Sequence, residues 1–186
     1  MPDDPTLSIA LVGLPGSGKS TVGRQLARYL GLAAVDTDAL IEQRVGMSVK
    51  DYFAAEGEAR FRDQEQAVMA EVAAQPGLVI STGGGALLRA ANREALRRPG
   101  MHVVYLRCAP EELARRLRQD SRRPLLQGGD ALGKLREMAR VRDPLYREVA
   151  EFVIDAGRGA SANRLLNLVI MQLELAGFGP PPRPAT

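Results

Sequence analysis

Short apolar runs alternate along the chain with longer segments in which apolar and charged residues are mixed. The runs at 9–12, 32–35, 78–80, 102–106 and 152–154 have the length and composition of buried strands. The segments at 20–29, 39–45, 48–75, 92–98, 111–118, 131–140 and 162–175 are helical in composition, with a break expected near Gly57. Strands that alternate with helices form a parallel sheet covered on both faces. The pattern therefore predicts a three-layer α/β/α fold with a five-stranded parallel sheet.

The stretch from Gly13 to Ser20, with the sequence GLPGSGKS, lies between the first predicted strand and the first predicted helix. It fits the Gly-x-x-x-x-Gly-Lys-Ser/Thr phosphate-binding loop at every fixed position. In such a loop, backbone N–H groups bind phosphate oxygens, the lysine lies near the β- and γ-phosphates, and the hydroxyl binds Mg²⁺. We therefore predict a nucleotide site with Lys19 as a catalytic residue and Ser20 as a metal ligand. The residues predicted to bind the nucleotide here are Gly16, Ser17, Gly18, Lys19, Ser20 and Thr21.

A second metal-binding carboxylate is missing from the end of the third predicted strand, where P-loop enzymes usually carry one. The residues that follow Ile80 are Ser81, Thr82 and Gly83. Asp36 and Asp38 end another strand, and a spacing of two puts both side chains on one side while the backbone stays extended. One of them can face Mg²⁺, through water, and the other can meet a hydroxyl group and accept its proton. Asp38 can also cap the helix predicted to begin at residue 39.

Three consecutive glycines, Gly83 to Gly85, follow the third strand, which indicates that something approaches the backbone closely there. The polar segment 119–130 contains a proline and paired glycines, and we predict it to be a mobile lid. Its basic pair, Arg122-Arg123, is suited to close on a polyphosphate and exclude water. A single helix arginine such as Arg62 or Arg142 is by default a solvated residue with an i, i+4 partner.

The overall composition limits the possible functions. With 186 residues the chain is expected to form a single domain, 1–186, and the proline-rich tail 179–186 is expected to be disordered. A net charge of +3 suits an anionic substrate, whereas an aromatic content of 4% offers little material for stacking nucleic-acid bases. Cys108 and His102 are the sole residues of their types, which excludes an internal disulfide and a cysteine-rich or histidine-based metal site. No apolar run is long enough to span a membrane, so we expect a cytoplasmic protein without membrane or nucleic-acid partners.

Six stretches, taken together, resemble the shikimate kinase family, which belongs to the nucleoside-monophosphate-kinase-like group of P-loop kinases. They follow the order of the family and cover nearly all of the chain between residues 9 and 155. The matching stretches are 13–21, Asp36-Thr37-Asp38, Phe61-Arg62 after Gly57-Glu58, Gly83-Gly84-Gly85, Arg123-Pro124-Leu125-Leu126 and Arg142-Asp143-Pro144-Leu145-Tyr146.

The resemblance implies transfer of the ATP γ-phosphate to the 3-hydroxyl of shikimate, with Mg²⁺ as the metal. The implied acceptor site has Asp38 at the reacting hydroxyl and Arg62 and Arg142 at the shikimate carboxylate, within a substrate-binding helical region at about 38–75. Backbone N–H groups of Gly83, Gly84 and Gly85 would also contact shikimate.

The resemblance also assigns the remaining nucleotide contacts. Arg116 would flank the adenine, and Arg123 would be the catalytic arginine of the lid, at about 119–130, reaching the ATP phosphates. Ser20 and Asp36 would form the Mg²⁺ shell.

Three other functions share part of this pattern. The first is a related small-molecule kinase that acts on gluconate or a nucleotide, and the second is a non-catalytic domain that binds a shikimate-like ligand and regulates a partner. The third is a nucleic-acid-associated NTPase, which only the sequence pI of about 9.3 suggests. The presence of Lys19, Asp36, Asp38 and Arg123 favours an active kinase, which we expect to be a monomer.

Overall fold

The computed structural model describes residues 7–118, 130–157 and 159–179. Its strands are β1 (Ser8–Val12), β2 (Ala33–Asp36), β3 (Leu78–Ser81), β4 (Met101–Cys108) and β5 (Phe152–Ala156). They form one parallel sheet in the order β2-β3-β1-β4-β5. The helices are α1 (Lys19–Leu30), α2 (Thr37–Val45), α3 (Val49–Ala73), α4 (Ala90–Ala95), α5 (Pro110–Leu117), α6 (Ala131–Val149) and α7 (Ala162–Leu175). The α/β fold with a five-stranded parallel sheet is confirmed.

Helices cover both faces of the sheet. Leu11 of β1 is paired with Val104 of β4, and Val12 is paired with Tyr105, so neighbouring positions point to opposite faces. On one face, Gly23 of α1 lies close to Leu11, and on the other, Tyr146 of α6 packs against Tyr105. Every residue of β1 is buried. The central strand therefore separates two helical layers, as the alternating pattern predicts.

The carboxyl ends of three neighbouring strands form one rim of the sheet. Asp36 at the end of β2 is paired with Ser81 at the end of β3, and Ser81 is in turn paired with Leu11 of β1. The predicted phosphate-binding loop, the two aspartates and the three glycines follow these ends directly. Their predicted location on a common rim agrees with the structure.

The region of the two aspartates differs from the sequence prediction. Helix α2 begins at Thr37, two residues earlier than predicted, because Asp36 is its N-cap. Asp36 Oδ1 accepts hydrogen bonds from the N–H groups of Asp38 (3.0 Å) and Ala39 (3.2 Å). The expectation that Asp38 caps this helix is therefore wrong. The assumption of extended backbone through both aspartates is wrong as well, since Asp38 lies in the first helical turn.

Two further elements differ from the prediction. The strand expected to be buried at 32–35 is β2, an edge strand whose Ala33 and Ala34 are exposed, because alanine gives no signal that separates an edge from a core position. Helix α6 continues nine residues beyond the predicted end at 140 and passes through Pro144. Proline in a helix interior costs roughly 3 kcal/mol, which the burial of the last turns, including the fully buried Tyr146, offsets.

Several local signals agree with the structure. Ser48 caps α3, Gly57 interrupts that helix with φ 82° and ψ 171°, Pro110 is in the first turn of α5, and α7 has the predicted bounds. Helix α4 lies at 90–95 instead of 92–98. The predicted lid at 119–130 falls almost wholly outside the described residues, and so does the tail from 180 onward. Within the part of the chain that is described, no helix is both long and apolar enough to cross a membrane.

Candidate active site

The phosphate-binding loop joins β1 to α1 in the conformation that its glycines allow. Gly16 and Gly18 have φ values of 82° and 102°, which disfavour any residue with a side chain. Lys19 is buried at 7% exposure, and its Nζ donates to the carbonyl oxygens of Gly13 (2.7 Å) and Leu14 (2.9 Å). The ammonium group therefore lies in the concave side of the loop. The remaining predicted residues are located as expected, with Ser17 in the loop and Ser20 and Thr21 in the first turn of α1.

Ser20 and Asp36 meet beside this loop. Ser20 Oγ donates to Asp36 Oδ2 at 2.6 Å, while the other carboxylate oxygen of Asp36 caps α2. The cap fixes the carboxylate, and so one oxygen is held next to the loop hydroxyl. A hydroxyl and a carboxylate oxygen are donors that suit Mg²⁺. Among the described residues, no group of three or more His, Cys, Asp or Glu could hold a metal ion.

The three glycines after β3 lie against three different parts of the site. A side chain at Gly83 would meet Asp38 Oδ1 at 2.7 Å, and one at Gly84 would meet Pro15 Cδ of the phosphate-binding loop at 2.6 Å. A side chain at Gly85 would meet both terminal nitrogens of Arg62 at 2.5 Å. The groups that closely approach the glycine backbone, as predicted, are thus side chains of the protein.

Two backbone N–H groups of the same glycines point to no protein acceptor. Gly83 N–H donates to Thr37 Oγ1 at 3.0 Å. Within the described ranges, no hydrogen-bond acceptor is found for the N–H of Gly84 or of Gly85. Such donors beside an arginine are well suited to bind an anionic oxygen.

Arg62 is held by a buried carboxylate that sequence reasoning missed. Its side chain is 12% exposed, and one terminal nitrogen donates to Glu65 Oε2 at 2.7 Å. Glu65 is 1% exposed, and burial raises the pKa of its carboxyl group, although the charges of Arg62 and Arg142 oppose that rise. The i, i+3 spacing of Arg62 and Glu65 is the sole sequence signal for this pair, and many other charged residues of α3 share such spacings.

Arg142 approaches the same group from α6. It is partly buried, and its positive charge acts on both Tyr146 and Glu65. Tyr146 donates a hydrogen bond to the carbonyl oxygen of Gly84. The two arginines named from the sequence therefore share one carboxylate neighbour, although they are 80 positions apart in the chain.

Arg116 lies on the other side of the phosphate-binding loop. Its Nε donates to Glu112 Oε1 at 3.0 Å, and its terminal nitrogens donate to the carbonyl oxygens of Gly16 (3.5 Å) and Ala160 (3.1 Å). Hydrogen bonds from Arg115 and also from Arg116 lower the pKa of the buried Glu112 to about 2, against the effect of burial. The guanidinium group therefore links α5, the phosphate-binding loop and the segment before α7.

A cleft of about 650 Å³ lies next to this link, between α5 and the end of β5. The residues that line it are Ala109, Glu111, Glu112, Arg115, Arg118, Asp155, Ala156, Gly157 and Gly159. The predicted lid arginine, Arg123, lies outside the described residues, and so does Arg122.

Comparison with known proteins gives consistent results. A family model described as shikimate kinase matches residues 15–172. A shikimate kinase of Paracidovorax citrulli is 55% identical over 179 residues, which are 95% of this chain and 97% of the relative. A shikimate kinase of Burkholderia lata is 50% identical over 174 residues, covering 94% of each chain. The structure of the Acinetobacter baumannii shikimate kinase in complex with shikimate superposes with a TM-score of 0.84, at 44% identity, over 93% of this chain and 96% of that one.

Proposed function

Because the chain belongs to the shikimate kinase family, we propose that it transfers the γ-phosphate of ATP to the 3-hydroxyl of shikimate and uses Asp38 to orient that hydroxyl. The products are 3-phosphoshikimate and ADP, which places the enzyme in chorismate and aromatic amino-acid biosynthesis. We further propose that it acts as a monomer in the cytoplasm.

The observation that supports this proposal most directly is the junction at Gly83 to Gly85. It brings a carboxylate (Asp38) and a guanidinium group (Arg62) next to the proline of a phosphate-binding loop. An acceptor that carries a hydroxyl and a carboxylate needs two protein groups on one side of the transferring phosphate. One is a carboxylate that binds the hydroxyl, and the other is a cationic group that binds the carboxylate of the acceptor. An uncharged acceptor would give Arg62 and Arg142 no anionic partner.

The carboxylate of shikimate would bind to Arg62 and Arg142. Planar guanidinium groups form paired, charge-assisted hydrogen bonds with a carboxylate, and they stay charged at all relevant pH values. The N–H groups of Gly84 and Gly85, which have no acceptor among the described residues, would provide further donors. Glu65 would hold Arg62 in place and reduce the repulsion between the two arginines.

The reacting hydroxyl would donate a hydrogen bond to Asp38. As the hydroxyl oxygen forms its bond to the γ-phosphorus, the bond from that phosphorus to the bridging oxygen of ADP breaks, and Asp38 takes up the hydroxyl proton. Lys19 lies where it can exchange the loop carbonyls for phosphate oxygens. We propose Arg123, from the lid, as a further charge on the transferring group.

Ser20 and Asp36 would hold Mg²⁺. Their hydroxyl and carboxylate oxygens are hard donors, and their 2.6 Å contact beside the loop fits a small cation that keeps most of its water and binds the nucleotide phosphates. The ion supplies charge neutralisation for the phosphates when bound. The adenine would lie near Arg116, in or beside the cleft at the end of β5.

The test is shikimate-dependent release of ADP by the purified chain with ATP and Mg²⁺. Arg62→Ala should raise the KM for shikimate roughly 10- to 100-fold, because a charge-assisted contact is lost, and should leave the KM for ATP almost unchanged. Arg142→Ala should behave in the same way. The matched control is Arg60→Ala, since Arg60 is in the same helix, is exposed and pairs with Glu56 at the surface.

A wild-type protein that releases no ADP in response to shikimate would refute the proposed function. Equal increases in both KM values for Arg62→Ala would contradict the assignment of this arginine to the acceptor. Activity with gluconate or a nucleotide, and none with shikimate, would select the related kinase instead.

A further inference from the structure

The hydroxyl group of Tyr146 contacts one group of the proposed acceptor site and lies one helical turn from another. Tyr146 is in α6 and is fully buried, with its ring packed against that of Tyr105 at a centroid distance of 5.0 Å. Its Oη donates to the carbonyl oxygen of Gly84, in the strand-end segment that abuts Pro15. Helix α6 is thereby joined to the glycine segment through a single side-chain hydrogen bond.

Arg142 lies one turn before Tyr146 in α6, and its positive charge acts on the same hydroxyl. A tyrosine hydroxyl has one proton to donate and lone pairs to accept. Since the proton is used on Gly84, the lone pairs of the oxygen remain to attract the guanidinium group. Burial raises the pKa of Tyr146, so the hydroxyl keeps its proton throughout the working pH range.

The hydrogen bond to Gly84 also orients a donor. In a trans peptide the carbonyl group of Gly84 and the N–H group of Gly85 belong to one plane and point in opposite directions. Fixing the carbonyl oxygen toward Tyr146 therefore turns the Gly85 N–H away from that hydroxyl, and Gly85 is the residue that lies against Arg62. No acceptor for this N–H is found among the described residues.

We propose that Tyr146 is a positioning residue for the acceptor carboxylate: its hydroxyl sets Arg142 and the Gly84–Gly85 peptide at a fixed distance and orientation. This inference rests on the proposed function, because it concerns the same carboxylate site. Tyr146 itself does not touch the acceptor, and it acts through the two groups that do.

The experiment compares Tyr146→Phe with Tyr105→Phe. Each variant loses one buried hydroxyl from neighbouring rings, but Tyr105 Oη donates to Asp143 Oδ1 at 2.8 Å and reaches neither Gly84 nor Arg142 in the described contacts. Tyr146→Phe should raise the KM for shikimate about five- to tenfold, with kcat and the KM for ATP changed less than about twofold. Tyr105→Phe should lower thermal stability to a similar extent and leave all three kinetic constants near wild type.

A second measurement tests whether the hydroxyl acts through Arg142. In a double-mutant cycle, the substitution Tyr146→Phe should raise the KM for shikimate by a clearly smaller factor in the Arg142→Ala variant than in the wild-type enzyme. Multiplicative effects of the two changes would overturn the proposal. It would also be overturned by a Tyr146→Phe enzyme that is merely less stable, or by equal shikimate defects in the two Phe variants.

These outcomes are distinct from failure of the proposed function. If the wild type releases no ADP in response to shikimate, the function falls, and this inference falls with it. If the wild type is active and Tyr146→Phe binds shikimate normally, only the positioning role is lost.

Discussion

Replacement of Gly84 by alanine tests whether the glycine segment positions the phosphate-binding loop. The new Cβ would lie 2.6 Å from Cδ, 2.7 Å from Cγ and 3.0 Å from N of Pro15. Carbon atoms in ordinary contact are about 3.5 to 4.0 Å apart, so Pro15 and the glycine segment must separate by about 1 Å. The atoms in question belong to a ring and to the backbone, which cannot turn aside as a flexible side chain can.

The displacement sets the expected magnitudes. Overpacking of this kind costs about 1 to 3 kcal/mol of stability, and a 1 Å misplacement of positioning groups costs about 100-fold in rate. We expect Gly84→Ala to lower kcat/KM about 100-fold for both substrates. It should also weaken ADP binding measured without shikimate, because the clash is with the nucleotide loop.

Two other alanine substitutions serve as comparisons. Gly31→Ala strains the C-cap of α1, where φ is 70° and an added Cβ would meet no atom beyond the adjacent residues within 4 Å, so it should lower thermal stability and leave the kinetics unchanged. Gly85→Ala would displace the end of the Arg62 side chain, and so it should raise the KM for shikimate and leave ADP binding intact. Refutation would come from a Gly84→Ala enzyme that binds ADP as the wild type does and keeps kcat/KM within about threefold.

Further predictions concern the aspartates and Glu112. Asp38→Asn should lower kcat about 100- to 10,000-fold with little change in the KM for either substrate. Asp36→Asn should raise the Mg²⁺ concentration that gives the half-maximal rate roughly 10- to 100-fold. Steady-state kinetics at a series of Mg²⁺ concentrations distinguish the two effects. Glu112→Gln should raise the KM for ATP about fivefold, because Arg116 loses its carboxylate partner. Folding lowers the pKa of Glu112 from 4.5 to about 2, so its contribution to stability is complete above about pH 4.5 and is lost as pH falls toward 2. The difference in melting temperature between wild type and Glu112→Gln should shrink across that range, and a difference that does not change with pH would contradict this account.

The sequence predicts the ends of the five strands to within two residues, because each strand contains a continuous apolar run, and three of the runs stop just before the phosphate-binding loop, the aspartates and the three glycines. It also predicts local caps such as Ser48 and the break at Gly57, where one residue type determines the backbone conformation. It does not predict the end of α6. Pro144 predicts that the helix ends before it. The helix continues because Tyr146 packs against Tyr105 and donates a hydrogen bond to the carbonyl oxygen of Gly84, which only the structure shows.

The sequence names candidate residues for the site, but it does not predict the contacts among them. Asp36 and Asp38 are candidates because they follow a strand. The sequence does not show which of them does what, because this depends on Asp36 being the N-cap of α2, which places Asp38 in the first turn of that helix. Glu65 is indistinguishable in sequence from its charged neighbours, because its burial depends on residues distant in the chain, such as Gly83. Long-range burial of one charged residue leaves no local pattern.

The three glycines explain why a common phosphate-binding loop can act on a specific acceptor. Gly83 faces Asp38, Gly84 faces Pro15 and Gly85 faces Arg62, so one short segment contacts the proposed base, the phosphate-binding loop and the proposed carboxylate-binding residue. Adjacent residues of a chain are about 3.8 Å apart, and a rigid segment of this length therefore fixes the spacing between the γ-phosphate and the acceptor. A side chain at any of the three positions would push one of these groups away from the other two. The absence of side chains is thus the feature that couples the nucleotide half of the site to the acceptor half.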